Sequence, residues 1–436
     1  MGFELIGVLL LFVVFAALLV YGVPVAYSIG ISTTLVLAIS IPFLPAVTTA
    51  CQRMTTGIDN FALLAIPFFI LAGELMNRGG IAKRLIDFAK SLIGSLPGGL
   101  AFVNIISAML FGAISGSAIA AASAIGSTLT DKMEGEGYPR EFSAAVNISA
   151  STTGLLIPPS NVLIIFALAS GGTASVASLF IAGYIPGLLV GLTLMLIVYI
   201  YAKKNGLRGA ESVKFGQLLV DFKNAFLSLT LLVIVVGGIV AGIFTATEAA
   251  AIAVVYAALL GFLNRELKFA DFNSILLKSA MTTAIVMFLI ATSMAMSWLF
   301  SFEKIPQMLT GALVDSVDNR ILVFLLINVI LLIVGTFMDM TPAVLIFTPI
   351  FLPVVMELGM HPVQFGMVIV LNLCIGVCTP PVGTLLFVGS GVAEVPVSKV
   401  IKPLIPLLIG MTVVLFLITY FPDISLWLPR LFNLIE

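Results

Sequence analysis

Between Leu5 and Gln52 the chain runs 48 residues without a charge, and between Phe142 and Ala202 it runs 61. A hydrocarbon core about 30 Å thick takes about 20 apolar residues per helix, so the first run predicts two spans and the second at least two. This is the pattern of an all-α polytopic membrane protein. A third stretch, Leu92 to Thr130, is long enough for one span and most of another, yet its middle, Phe111-Gly-Ala-Ile-Ser-Gly-Ser-Ala118, is small and polar. A fourth, Ile321 to Met356, carries Gly335-Thr-Phe-Met-Asp-Met-Thr-Pro342 at its centre. A helix that goes in, breaks at such a centre and returns to the same side fits both, so two re-entrant hairpins are expected.

The few charges set the orientation. Basic residues near membrane ends mark the cytoplasmic side. The segments Arg78–Lys90, Lys132–Arg140, Lys203–Lys223, Arg265–Lys278 and Lys399–Lys402 hold four, two, five, three and two of them, which is 16 of the 20 Lys and Arg residues. Placing all five inside requires the first hairpin to open inward. The flanks of the second, Arg320 on one side and Glu357 with His361 on the other, suit the opposite face. Both termini then lie outside, with about ten full crossings between them.

Each hairpin is followed by one punctuation, G-x-x-x-P-P: Gly154 to Pro159 and Gly376 to Pro381. The intervals also match, with 43 residues from Ser115 to Pro158 and 45 from Gly335 to Pro380. Ahead of the hairpins, Phe61–Met76 and Met281–Phe300 cross in opposite senses. These are the marks of inverted-topology repeats. The expected organisation is N-terminal scaffold helices over 1–57 and a first repeat over 58–172, with hairpin 92–130 and broken helix 142–171. Connecting helices over 173–278 include the basic loop 203–223. A second repeat follows over 279–392, with hairpin 321–356 and broken helix 363–391, and a C-terminal scaffold helix over 393–436.

Proline gives no N–H to the carbonyl four residues back and pushes that carbonyl aside. Pro158 and Pro159 should therefore free the carbonyls of Gly154 and Leu155, and Pro380 and Pro381 those of Gly376 and Val377. Unsatisfied backbone groups cost several kcal/mol each in hydrocarbon and persist only where protein, water or an ion meets them. With hydroxyls such as Ser115, Ser117 and Thr379 they make an oxygen cage for a hard cation. Sodium is the natural occupant, because no ring of carboxylates is present for a divalent ion. Simple proline kinks are the bland alternative; two copies at matched spacing favour the cage.

The same breaks expose helix starts at Ser160 and Asn161 and at Gly383 and Thr384, where free N–H groups and the helix dipole favour an anion. Asn147 and Asn372 either orient this layer or pack helices together. Asp339, the acid at a hairpin centre, is a proton or sodium partner by default, or else a cap for the returning limb. Glu248, at a helix start, reads as a cap. Ser160, Asn161, Asn147, Asp339 and Thr384 are thus the candidate substrate ligands.

Composition removes other classes. Charged residues make up 9% of the chain and the net charge is −1 without a basic tract, which argues against nucleic acid. One histidine and three cysteines do not supply a metal site of the usual ligand count; Cys51, Cys374 and Cys378 read as small apolar packers. No G-x-x-x-x-G-K-[ST] loop occurs, and no nucleophile–base pair lies at depth, so an enzyme is not expected. The first 21 residues carry Glu4 rather than a basic n-region and read as a membrane helix, not a signal peptide.

The run Phe61 to Gly80 (FALLAIPFFILAGELMNRGG), with Ser115-Gly-Ser117, Gly154–Pro159, Gly335–Pro342 and Gly376–Pro381, resembles the large membrane subunit of tripartite ATP-independent periplasmic (TRAP) transporters, the DctM type, over essentially the whole chain. The resemblance implies an elevator-type carrier in a bacterial or archaeal inner membrane that imports organic acids with sodium. It implies a small four-helix membrane subunit (DctQ type), here expected as a separate polypeptide, and a periplasmic substrate-binding protein (DctP type). By similarity, one sodium site would use Ser115, Ser117, Gly154, Ile157 and Pro159, and a second Gly335, Gly376, Thr379 and Pro381. The alternative is an elevator symporter of divalent organic anions that needs no binding protein.

Overall fold

The computed structural model describes residues 2–207, 215–308, 311 and 319–435, and among them no strand is formed. Prolines and glycines set where helices start and stop. Pro24 and Pro42, both with φ near −55° and ψ near 144°, divide the N-terminal apolar run into α1 (Gly2–Val20), α2 (Val25–Ser40) and α3 (Phe43–Ile58). That is three helices where two spans were expected. Helix α3 is amphipathic, burying Ala46 and Ala50. Next come α4 (Ala65–Arg78) and α5 (Ile81–Ile93).

The first hairpin is α6 (Gly99–Ser115) and α7 (Ala118–Gly135). It starts and ends later than its apolar stretch because Leu92 and Ile93 finish α5, and Gly98 turns the chain at φ +87° before α6. Helix α5 keeps Leu85, Ile86 and Ala89 buried under a basic outer face. The first broken helix is α8 (Arg140–Thr153) and α9 (Asn161–Ala169). After it come α10 (Val176–Lys204), α11 (Phe215–Val240), α12 (Ala246–Leu263) and α13 (Phe272–Phe302). Lys203 and Lys204 end α10 and Lys223 lies on α11; Arg208 and Lys214 of the same basic loop lie outside the described residues.

The second hairpin is α14 (Arg320–Phe337) and α15 (Met340–Glu357), and the second broken helix is α16 (Pro362–Gly376) and α17 (Thr384–Val392). The chain closes with α18 (Val397–Tyr420) and α19 (Asp423–Leu431). Eight of the described helices are long and apolar enough to cross a membrane. Glu248 completes a capping box with Thr245 at the start of α12, and His361 caps α16 by accepting the Val363 N–H at Nδ1.

The halves interlock. In each, the first limb of the hairpin packs on the first half of the broken helix, α6 on α8 and α14 on α16. Each second half then crosses to the other hairpin, α9 against α15 and α17 against α7. Arg140 fastens one such crossing: its Nε donates to the Ala393 carbonyl at 2.6 Å, and its guanidinium meets Asp131 at 2.9 Å and Glu134 at 2.5 Å. Around this body, α10 packs on α6, α8, α9 and α16, and α18 packs on α8 and α16. A buried amide chain ties α18 in: Asn372 Nδ2 donates to Asn328 Oδ1 at 2.7 Å and Asn328 Nδ2 to Thr419 Oγ1 at 3.1 Å. A second group forms where α13 packs on α2, α3 and α4, α12 on α4, and α11 on α12. The groups meet through α4 on α6 and α9, and through α13 on α15, with α5 bridging α6 and α11.

Candidate functional site

The first hairpin breaks because Gly116 turns at φ +63°, a conformation open to glycine at little cost, and Ser117 then caps α7 by accepting the Ala120 N–H. The second breaks without a positive φ: Met338 is extended and Asp339 sits at the N-cap of α15. The broken helices approach these tips closely. A Cβ added at Gly154 would lie 2.4 Å from the Cα of Gly112, and one at Gly376 would lie 2.5 Å from the Cα of Gly335. The two contacts are counterparts, one per half. The Pro158–Pro159 and Pro380–Pro381 peptide bonds are both cis.

The carbonyls behave differently in the two breaks. Among the described residues no backbone N–H reaches the carbonyls of Gly154 or Leu155, as the proline argument requires. In the second break the Gly376 carbonyl accepts the Thr379 N–H at 2.8 Å, and the Val377 carbonyl accepts the Leu385 N–H at 3.1 Å. These two are therefore not freed. The turn after Gly376 tightens enough to bring new donors to both: the Val377 carbonyl also accepts the Leu386 N–H at 3.4 Å, while the Gly376 carbonyl keeps one lone pair available. Gly383 lies against this turn, where a Cβ would come within 2.8 Å of both the Val377 and Thr379 carbonyl oxygens.

One cavity of about 440 Å³ joins the pieces. Ser115, Ser117, Asp339 and Thr341 line it from the hairpin tips, Asn161 and Thr384 from the helix starts beyond the breaks, and Leu155 and Val377 from the breaks. Asp339 is exposed where it lines the cavity, beside Thr384. Its carboxylate makes no capping hydrogen bond, so it occupies the cap position without serving as one. Gly154, Ile157, Pro159, Gly335, Gly376, Thr379 and Pro381 lie in or against the breaks behind this wall. Thr379 Oγ1 donates back to the Ile375 carbonyl at 2.7 Å.

Two of the five candidate substrate ligands lie apart from the cavity. Asn147 is fully buried and donates to the Ala122 carbonyl at 2.8 Å, holding α7 against α8. Ser160 is fully buried with its hydroxyl unpartnered. Asn372 packs helices through Asn328. Cys374 on α16 and Cys378 in the break after it are buried with their thiols directed at the Thr152 and Ile148 carbonyls of α8, as packers between halves.

Sequence reasoning missed the opposite wall, formed by Ile66, Ile70, Gly73, Glu74 and Asn77 of α4 with Lys278, Thr282 and Val286 of α13. Lys278 Nζ lies 2.7 Å from Glu74 Oε1. An available signal was Glu74 itself, an acid inside an apolar helix.

The sequence pattern of the family described as "Tripartite ATP-independent periplasmic transporter, DctM component" matches residues 12–424. This chain belongs to that family. Among DctM-related proteins, it is 48% identical to the uncharacterized protein YgiK of Salmonella typhimurium, covering 99% of each chain. It is 40% identical to the C4-dicarboxylate TRAP transporter large permease protein DctM of Pseudomonas aeruginosa, over 92% of this chain and 94% of that one. Among solved structures, the YdaH transporter of Alcanivorax borkumensis aligns with TM-score 0.64 at 14% identity over 89% of each chain, a likeness of fold alone. The DctM chain is thus a transporter permease component and not an enzyme, a multi-pass membrane protein that works within a tripartite system.

Proposed function

We propose that this chain carries an organic carboxylate inward across a bacterial inner membrane, coupled to sodium and by an elevator movement. The observation that carries the reading is the single cavity on which both hairpin tips and both post-break helix starts converge. Among the described residues the start of α9 offers unpaired N–H groups to a carboxylate, whereas at α17 the Val377 carbonyl takes the Leu385 and Leu386 N–H groups; Asn161, Thr341 and Thr384 add neutral hydrogen-bonding groups.

Sodium fits the donor set. Among the described residues the Gly154 and Leu155 carbonyls lack backbone N–H partners, Ser115, Ser117 and Leu155 line one cavity, and no group of three or more His, Cys, Asp or Glu that could hold a metal ion occurs. Such neutral oxygens suit a monovalent hard cation. Bound there, sodium would supply the driving force: one charge crossing 100 mV is worth about 2.3 kcal/mol. Two ions would release about 4.6 kcal/mol against about 2.3 for carrying a monoanion inward. The moving part in this reading is the interlocked body of hairpins and broken helices; α10 and α18, expected from the sequence as connecting and scaffold helices, pack on that body and are assigned to it instead. The group around α11–α13 is the scaffold that a small four-helix subunit would hold.

The partners are a DctQ-type small subunit and a DctP-type binding protein, in keeping with the tripartite description of the family. The test is a thermal-shift screen of the cognate binding protein against organic acids, followed by uptake of the hit into proteoliposomes. Uptake should collapse when the soluble protein is omitted. Undiminished uptake without it would instead favour a binding-protein-independent symporter of divalent organic anions.

A further inference from the structure

We propose that Lys278, held by Glu74 on the α4–α13 wall, is an anion-receiving site for a carboxylate leaving the cavity, with the Glu74 side chain standing in for that carboxylate while the cavity holds no cargo. The inference rests on the carrier reading above and adds to it a residue on the wall facing the hairpins.

Charge comes first. Of the described residues lining the cavity, Lys278 alone is basic, and Asp339 and Glu74 are the acids. On the hairpin side a cargo anion therefore meets helix starts and neutral groups next to a like-charged Asp339. The full positive charge lies on the opposite wall. Next comes exchangeability. Both Glu74 oxygens contact Lys278 Nζ, at 2.7 and 2.9 Å, but the lysine side chain is 60% exposed while that of Glu74 is 18% exposed. Pairs this open to solvent are weakly held, and a lysine ammonium on a flexible stem can change carboxylate partners without losing a hydrogen bond. Asn77 and Thr282, one turn from Glu74 and Lys278, add neutral donors to the same patch. Last is position. Lys278 closes the basic segment assigned to the cytoplasmic face, and Glu74 lies one turn before Arg78 of the same face. The site therefore stands on the inner side of the cavity, where cargo departs.

The test reads the charge of the patch without any transported substrate. In the assembled complex, Cys51, the exposed native cysteine, is replaced by serine, and Thr282→Cys supplies a thiol one turn from Lys278; Cys374 and Cys378 stay buried. The probes are a sulfonate-bearing methanethiosulfonate, a compact anion like a carboxylate, its trimethylammonium counterpart, and a neutral methyl reagent. Glu74→Gln should raise the anionic-to-cationic rate ratio about tenfold and Lys278→Gln should lower it about tenfold, through the local potential, with the neutral rate unchanged. A ratio that stays within twofold in both variants overturns the proposal. So does a neutral rate that moves as far as the charged ones, because the pair would then shape the wall rather than present charge. The result is independent of uptake, so failure of the carrier reading would be seen separately in the proteoliposome assay.

Discussion

Replacing Gly154 or Gly376 by alanine should abolish transport. At 154 the new methyl carbon would lie 2.4 Å from the Gly112 Cα and 2.7 Å from the Ala113 nitrogen; at 376 it would lie 2.5 Å from the Gly335 Cα and 3.0 Å from its carbonyl oxygen. Backbone faces backbone at both places, so no side chain can swing aside. The hairpin must separate from the broken helix, and overpacking of this kind costs about 1–3 kcal/mol. That separation also displaces Ser115 and Leu155, or Val377 and Thr384, from the shared cavity. Gly135→Ala is the control, since its added carbon meets nothing within 4 Å. Uptake of the identified acid and thermal unfolding of the complex check the expectation. Normal uptake in Gly154→Ala or Gly376→Ala would show that the two close contacts do not hold the site together.

Gly73→Ala should act differently, by depopulating one arrangement of the molecule. A carbon at 73 would lie 2.8 Å from the Ser115 carbonyl oxygen and 3.4 Å from its carbonyl carbon. Here the contact joins α4 of the surrounding group to the tip of the first hairpin. In the elevator reading the tip leaves α4 when the body moves, so the methyl group would be accommodated in the other state. The expected result is a stable, assembled variant with strongly reduced uptake. Single-particle images should lose the class in which Ser115 abuts residue 73. An unchanged proportion of that class would contradict the close contact. A variant that no longer assembles would contradict the movement, because the contact would then be permanent.

The breaks were legible because their causes are local. Paired prolines cannot continue the hydrogen-bond ladder, and Gly116-Ser117 or Met338-Asp339 between apolar limbs marks a tip wherever the limbs fold. Matched spacing then implied the mirrored halves. Re-pairing of the Gly376 and Val377 carbonyls was not legible, since it depends on how tightly the turn after Gly376 closes, and no residue type encodes that. Helix α5 was absorbed into the first hairpin because Leu92 and Ile93 are as apolar as the limb that follows. Asn147 sits on a broken helix as a ligand would, and only packing against Ala122 shows which way its amide is used. The pairing of Glu74 with Lys278 spans 204 positions and arises from two helices brought together in the scaffold group.

The claim on which the account depends is that the carbonyls and hydroxyls at the two breaks bind sodium. Its most direct test is the unfolding temperature of the purified complex in sodium chloride against choline chloride at equal ionic strength, for the parent chain and for Ser117→Ala. A ligand bound only to the folded state stabilises by about 2.7 kcal/mol per site at a hundred times its dissociation constant. The account predicts a sodium-specific rise that saturates in the parent chain and shrinks in Ser117→Ala. Identical melting in the two salts would contradict it.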